Sequence, residues 1–256
     1  MTGMTERALF TPFLWGWTGV ALLLFPILFF ITAPYGRHAR KGWGPEIPST
    51  LGWILMEAPS PIGFAIWFFA GDRKTDPAAI AFLVLWELHY INRAFVFPLL
   101  RRGGQKPMPL LIVVQAFFFN LVNAYLNGRY LFTFGPARGA GWLYDPRFLI
   151  GVLLFLSGFA INFHADKVLR NLRAPGETGY RIPRGGLYRF VSCPNYLGEL
   201  VEWCGFALCT FSPAALAFTV WTAANLLPRA RANHLWYRER FPDYPKERRA
   251  VIPMLL

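Results

Sequence analysis

The sequence predicts an all-α, multi-pass transmembrane bundle, and three observations carry that prediction. Seven long apolar segments recur along 256 residues. Hydrophobic residues make up 55% of the chain and aromatics 18%, a composition of membrane proteins. The cations collect in alternate loops rather than evenly, as membrane topology requires. A net charge of +12 could suggest a nucleic-acid partner, but a basic soluble domain would not carry these apolar runs, so none is expected.

The apolar segments run over about 9–32, 50–70, 77–100, 108–128, 148–165, 195–210 and 212–228, against a hydrocarbon layer of about 30 Å. The first follows Glu6-Arg7, lacks a small-residue cleavage signal and reads as retained. The sixth is short and polar on one face, so six spans is the alternative to seven. Turn-formers sit between segments: Ala33-Pro34-Tyr35-Gly36, Arg102-Gly103-Gly104 and Phe134-Gly135-Pro136. With seven spans, nineteen cations fall on the side of the C-terminus and six on the side of the N-terminus. That bias places the N-terminus outside and the C-terminus in the cytosol. No internal repeat or long linker divides the chain, which reads as one integral-membrane domain, 1–256. Cys193, Cys204 and Cys209 have neither metal-like nor redox spacing, so no metal and no disulfide framework is expected.

The stretch from Asn162 to Tyr196 leaves the fifth segment with polar and cationic groups at ordered spacing. Asn162, Asp166, Arg170 and Arg173 stand at offsets 0, 4, 8 and 11, one helical stripe. A loop rich in Gly and Arg follows, then Pro194-Asn195 opens another apolar helix. A polar stripe beside a cationic loop suits a polyanionic cofactor on the cytosolic side. A charged helix end with a solvated loop is the plainer alternative. No G-x-G-x-x-G follows a strand, which excludes a Rossmann domain as the cofactor device.

Ionisable groups inside the spans are expensive and mark function. Glu57 lies mid-span beside Pro59 and Pro61, whose rings loosen the helix and leave carbonyls needing partners. In the third segment Trp86, His89, Tyr90 and Arg93, at offsets 0, 3, 4 and 7, make an aromatic and polar face. Glu87 is expected to pair with Arg93, and Glu199 with Glu202, three residues apart, to enter ion pairs or the site. A carboxyl kept neutral by an apolar pocket can donate a hydrogen bond to a carbonyl, as can a Tyr hydroxyl. Trp53, Phe64, Trp86, Phe117, Phe118 and Trp203 are candidates to wall an apolar ligand.

Several segments carry a resemblance: 56–61 (MEAPSP), 88–97 (LHYINRAFVF), 161–170 (INFHADKVLR), 174–187 (APGETGYRIPRGGL), 194–199 (PNYLGE) and 244–253 (YPKERRAVIP). In this order they resemble the steroid 5α-reductase family, most of all its type 2 enzymes. The resemblance implies a seven-helix reductase that uses NADPH to reduce the Δ4 double bond of 3-oxo-steroids. It implies that Glu57 and Tyr90 hold the 3-keto oxygen. Asn162, Asp166, Arg170, Arg173, Tyr180, Arg181, Asn195, Tyr237 and Arg248 would bind NADPH. Trp53, Phe117, Phe118, Glu199 and Trp203 would contact the steroid. Residues 1–130 would then form mainly the substrate pocket and 148–256 the cofactor half, in a monomer surrounded by lipid. Met56 stands where mammalian members would have Gln; Arg101, Gly104 and Gln115 stand for Asn, Arg and Arg, and Asn233 for His. Arg outnumbers Lys 21 to 5, which hints at a GC-rich bacterial genome; the membrane would be a bacterial inner membrane or the endoplasmic reticulum. Two rivals remain at the level of sequence: a membrane methyltransferase using S-adenosylmethionine, and a sterol-binding protein without catalysis.

Overall fold

A computed structural model describes residues 2–40, 42–101, 107–172 and 179–255; Gly104 and Arg173 lie outside the described residues. Seven helical rods make the bundle among the described residues. They are α1 (Thr2–Leu28), the pair α2 (Ser49–Glu57) and α3 (Pro59–Ala70), and α4 (Pro77–Ile91) continued by α5 (Phe97–Leu100). α6 (Leu110–Arg129), α7 (Pro146–Asn171), α8 (Pro194–Thr210) and α9 (Pro213–Arg240) complete it. Five of the rods are long and apolar enough to cross a membrane: 5–28, 49–70, 77–100, 110–134 and 146–171. A two-stranded antiparallel pair, β1 (Glu46–Pro48) with β2 (Pro107–Pro109), ties the second rod to the fourth and is the departure from an all-helical reading.

Local chemistry sets the helix ends. Asp76, Asp145 and Ser212 each cap a helix by accepting backbone N–H bonds, and each is followed by proline at the first helical position. The prolines after Glu57 break the second rod between α2 and α3, as expected. One π-helical turn, Asn92–Val96, interrupts the third rod and another, Tyr130–Phe134, ends the fourth; such turns often occur at functional sites. The last helix runs to Arg240, three turns beyond the predicted apolar segment, through a buried Pro228.

The closest helix pair is α7 with α8. Gly151 and Gly158 on α7 meet Gly205 and Gly198 on α8, each pair one heptad apart. A Cβ on any of the four would come within 3.0 Å of the facing helix backbone. Small residues let helices approach without a hydrophobic driving force in lipid. The C-terminal tail is pinned beside this pair: Ser192 and Cys193 donate backbone N–H bonds to Arg249 and Ala250 carbonyls at 2.8 and 3.0 Å. The core centres on Trp86, stacked on Phe64 at 4.3 Å and flanked by Tyr90, Trp203, Phe206 and Phe218. Phe64 and Trp86 are fully buried packing rather than cavity wall, contrary to the sequence reading.

Candidate functional site

A cavity of about 900 Å³ lies among α1, α2, α4, α6, α7, α8 and α9. Its apolar wall comes from mid-helix aromatics, Trp17, Phe119, Trp203, Phe218 and Trp221. Polar groups follow where α7 ends and α8 begins: Asp166, Arg170, Tyr180, Arg181, Asn195 and Tyr196, with Tyr237 from α9 and Arg37 from the first loop. Glu57, Tyr90, Arg93 and Glu199 also line it.

Glu57 ends α2 at the proline break, and Asn120 of α6 donates to its Oε2 at 3.2 Å and to the Met56 carbonyl at 2.7 Å. Met56 itself packs with Met108 and Val113, so Asn120 is the amide beside Glu57. Tyr90 is buried; its hydroxyl oxygen accepts from Asn123 Nδ2 at 3.5 Å. Its ring lies against Trp86 and Trp203, which fixes its direction.

Arg93 stands in the first π-turn. It reaches Glu199 at 3.3 Å and Asp166 at 3.6 Å, with its guanidinium 4.6 Å from the Trp53 ring. It does not pair with Glu87, whose buried Oε1 has no hydrogen-bond partner, so the expected Glu87–Arg93 pair is absent. Six residues on an α-helix are about 120° apart, which points the two side chains to different neighbours. Glu199 and Glu202 take different partners: Glu199 pairs with Arg93, and Glu202 meets His89 Nδ1 at 2.9 Å, buried, in a hydrogen bond.

The predicted stripe on α7 divides by role. Asp166 and Arg170 line the cavity, whereas buried Asn162 lies behind it, donating to the Asn195 carbonyl at 3.0 Å and Glu199 Oε1 at 3.1 Å. Asn195 donates to Asp166 Oδ1 at 3.4 Å. Arg248 is also away from the cavity, buried under the Tyr244 ring at 5.2 Å. Trp53, Glu199 and Trp203 line the cavity as expected; Phe118 does so while largely exposed, and Phe117 faces outward without lining it.

Sequence reasoning missed Arg37. Its guanidinium lies over the rings of Tyr237 at 4.4 Å, Trp236 at 5.2 Å and Tyr180 at 5.6 Å, with a buried Nη1 that has no hydrogen-bond partner. Arg229 holds that loop by donating to the Ala33 and Tyr35 carbonyls at 3.2 and 3.1 Å. His38 meets Asn233 Oδ1 at 3.0 Å, while burial, and then the guanidiniums of Arg229, Arg37 and Arg40, hold its pKa below the usual value despite that bond. A loop contact of this kind has no periodic signal. The Asn120, Asn123, Asn127 stripe did have one, at offsets 0, 3 and 7 in an apolar segment. Cys193 is buried, and desolvation pushes its thiol pKa up; among the described residues no cluster of metal ligands occurs.

Residues 106–256 match the family model described as 3-oxo-5-alpha-steroid 4-dehydrogenase. The chain is 42% identical to 3-oxo-5-alpha-steroid 4-dehydrogenase 1 of Bos taurus, over 99% of both chains. It is 40% identical to the protein of the same name from Homo sapiens, over 99% of this chain and 98% of that one. It is also 43% identical to a steroid 5-alpha-reductase of Gossypium hirsutum, over 92% and 93%. These names are type 1 and plant enzymes; the sequence reading set the likeness nearest type 2. The agreement runs through the helices that carry Glu57 and Tyr90 as well as the C-terminal half, and the chain belongs to the 3-oxo-5-alpha-steroid 4-dehydrogenase family of oxidoreductases acting on CH–CH groups.

Proposed function

We propose that this protein reduces the Δ4 double bond of 3-oxo-Δ4-steroids to 5α-dihydrosteroids with NADPH. The observation that supports this most is one continuous cavity in which Glu57 and Tyr90 adjoin an aromatic space and a cationic, tyrosine-rich region. The donor set fits a phosphorylated dinucleotide. Arg37, Arg170 and Arg181 offer charge to phosphates, Asn195 and Asp166 offer polar contacts, and the buried Arg37 Nη1 awaits an acceptor. Arg173 is assigned with them from the family motif, while Asn162 holds the wall from behind through Asn195 and Glu199. Bound NADPH would supply the hydride for C5 of the enone, and the enolate left behind would take a proton at C4.

The side chains do the rest. Glu57 and Tyr90 donate hydrogen bonds to the 3-keto oxygen, which takes up negative charge as the enone is reduced. Trp53, Phe118 and Trp203 hold the steroid body and exclude water, and Glu199 steadies Arg93 between substrate and cofactor regions. The chain acts as one domain, with residues 1–130 mainly framing steroid and 148–256 mainly framing cofactor. Arg37 and Trp203 cross that division. All seven rods span the membrane as a monomer in lipid, N-terminus outside and cofactor region cytosolic, in a bacterial inner membrane or the endoplasmic reticulum.

The test is purified protein in detergent with a 3-oxo-Δ4-steroid and NADPH, NADH or S-adenosylmethionine, with products resolved by mass spectrometry. A gain of two mass units with 5α stereochemistry, dependent on NADPH, is the expected result. A methylated lipid or thiol with S-adenosylmethionine and no enone reduction would replace the reading with methyl transfer. Steroid binding indifferent to nucleotide, without product, would leave a binding protein.

A further inference from the structure

The α6 helix carries three buried asparagines on one face, Asn120, Asn123 and Asn127. Buried amides on a membrane helix need partners, and here the partners form a directed chain. Asn127 Nδ2 donates to Asn123 Oδ1 at 2.9 Å and to its backbone carbonyl at 3.1 Å. With its oxygen occupied, Asn123 turns its NH₂ to Tyr90 and donates to the phenol oxygen. Asn120 divides its NH₂ between the Met56 carbonyl and Glu57 Oε2. Asn123 and Asn127 do not line the cavity, so neither touches a ligand there.

A phenol oxygen that already accepts a bond keeps its O–H to donate, and a carboxyl with one oxygen filled by an amide donor presents the other. We propose that the Asn127–Asn123 relay, with Asn120, sets hydrogen-bond polarity at Glu57 and Tyr90, so that both face the substrate oxygen as donors. Asn123 and Asn127 are positioning residues. The inference rests on the reading of Glu57 and Tyr90 as the pair that holds the carbonyl. Without Asn127's donation the Asn123 amide can turn its oxygen to Tyr90, whose O–H then points there and leaves the substrate oxygen one donor short; without Asn123 nothing holds the Tyr90 O–H toward the substrate.

The experiment compares enone reduction by full-length wild type, Asn123→Leu, Tyr90→Phe and the double variant, with NADPH affinity measured on each. Asn123→Leu should lower kcat roughly ten- to hundredfold, below the full cost of a lost oxyanion donor, with NADPH affinity and steroid KM within about twofold of wild type. In the Tyr90→Phe background the same change should cost nothing further, because the hydroxyl it orients is gone. Asn127→Asp is the second variant, nearly isosteric, whose carboxylate cannot donate to Asn123 Oδ1; it should repeat the kcat loss. If Asn123→Leu fails to bind NADPH, Asn127→Asp and its Tyr90→Phe double carry the comparison. Wild-type kcat in a variant that binds NADPH overturns the proposal. So does an equal loss in the Tyr90→Phe background, which would mark a purely structural role. A wild-type protein that reduces no enone overturns the functional reading itself, and this inference with it.

Discussion

Arg93 reaches Glu199 at 3.3 Å and Asp166 at 3.6 Å, so one guanidinium in a π-turn of the third rod joins carboxylates on α7 and α8. All three side chains are largely withdrawn from solvent. Removing one member of such a group leaves uncompensated buried charge.

Arg93→Met should therefore destabilise the protein by about 3–5 kcal/mol and weaken NADPH binding at least tenfold, because Asp166 and Glu199 then repel each other beside Asn195. Thermal melting in detergent and NADPH titration would check this. A variant with unchanged melting and affinity would show that the network holds nothing in place.

The α7–α8 approach makes a second prediction. Gly158→Ala should cost about 1–3 kcal/mol and reduce NADPH affinity, since the Asn162–Glu199 and Asn195–Asp166 bonds cross that interface. Gly16→Ala is the control: a Cβ there meets nothing within 4 Å, and since alanine is the better helix former its melting temperature should not fall. Equal melting of both variants would contradict the close packing.

The His89–Glu202 pair, buried at 2.9 Å against Trp203, is a hydrogen-bonded polar pair under the cavity wall. His89→Leu should destabilise by about 3–5 kcal/mol, while the His89→Leu/Glu202→Leu double variant should recover part of that loss. Denaturant unfolding of the four proteins closes the cycle. A double variant worse than the sum of the singles would rule out a pairing role.

Arg37 sits over three aromatic rings at the cationic end of the cavity. Arg37→Ala should weaken NADPH by about tenfold, or ~1.4 kcal/mol, and NADH by less, if it meets the extra phosphate. Binding of the two dinucleotides at several salt concentrations separates a phosphate contact from simple loss of packing. Parallel losses for both would assign Arg37 to structure alone.

For the carbonyl pair, Tyr90→Phe and Glu57→Leu should each lower kcat by about 10²-fold or more while NADPH affinity stays within twofold. Kinetics and titration on the same preparations decide it. Comparable loss of cofactor affinity would contradict the assigned role.

The membrane bundle was legible in the residues themselves. Apolar segments, the proline break after Glu57 and the spacing of Asp166 with Arg170 are local properties, dictated by backbone sterics and transfer into hydrocarbon. The family motifs placed Glu57, Tyr90, Asn195 and Tyr237 as candidates, and all four line one cavity. Other relationships are set only when helices meet. Arg93 takes its partners from α7 and α8 rather than Glu87, because the carboxylates of the packed neighbouring helices come within ion-pair distance and the one on its own helix does not. Asn162 falls behind the wall and Phe117 turns outward because helical offset gives a direction but not the neighbour it points to, while Arg248 lies in the tail after the last helix. Arg37 enters through a loop with no periodicity to read. Which buried polar groups face one another depends on the glycine-set approach of α7 to α8, and that approach is a property of two surfaces together.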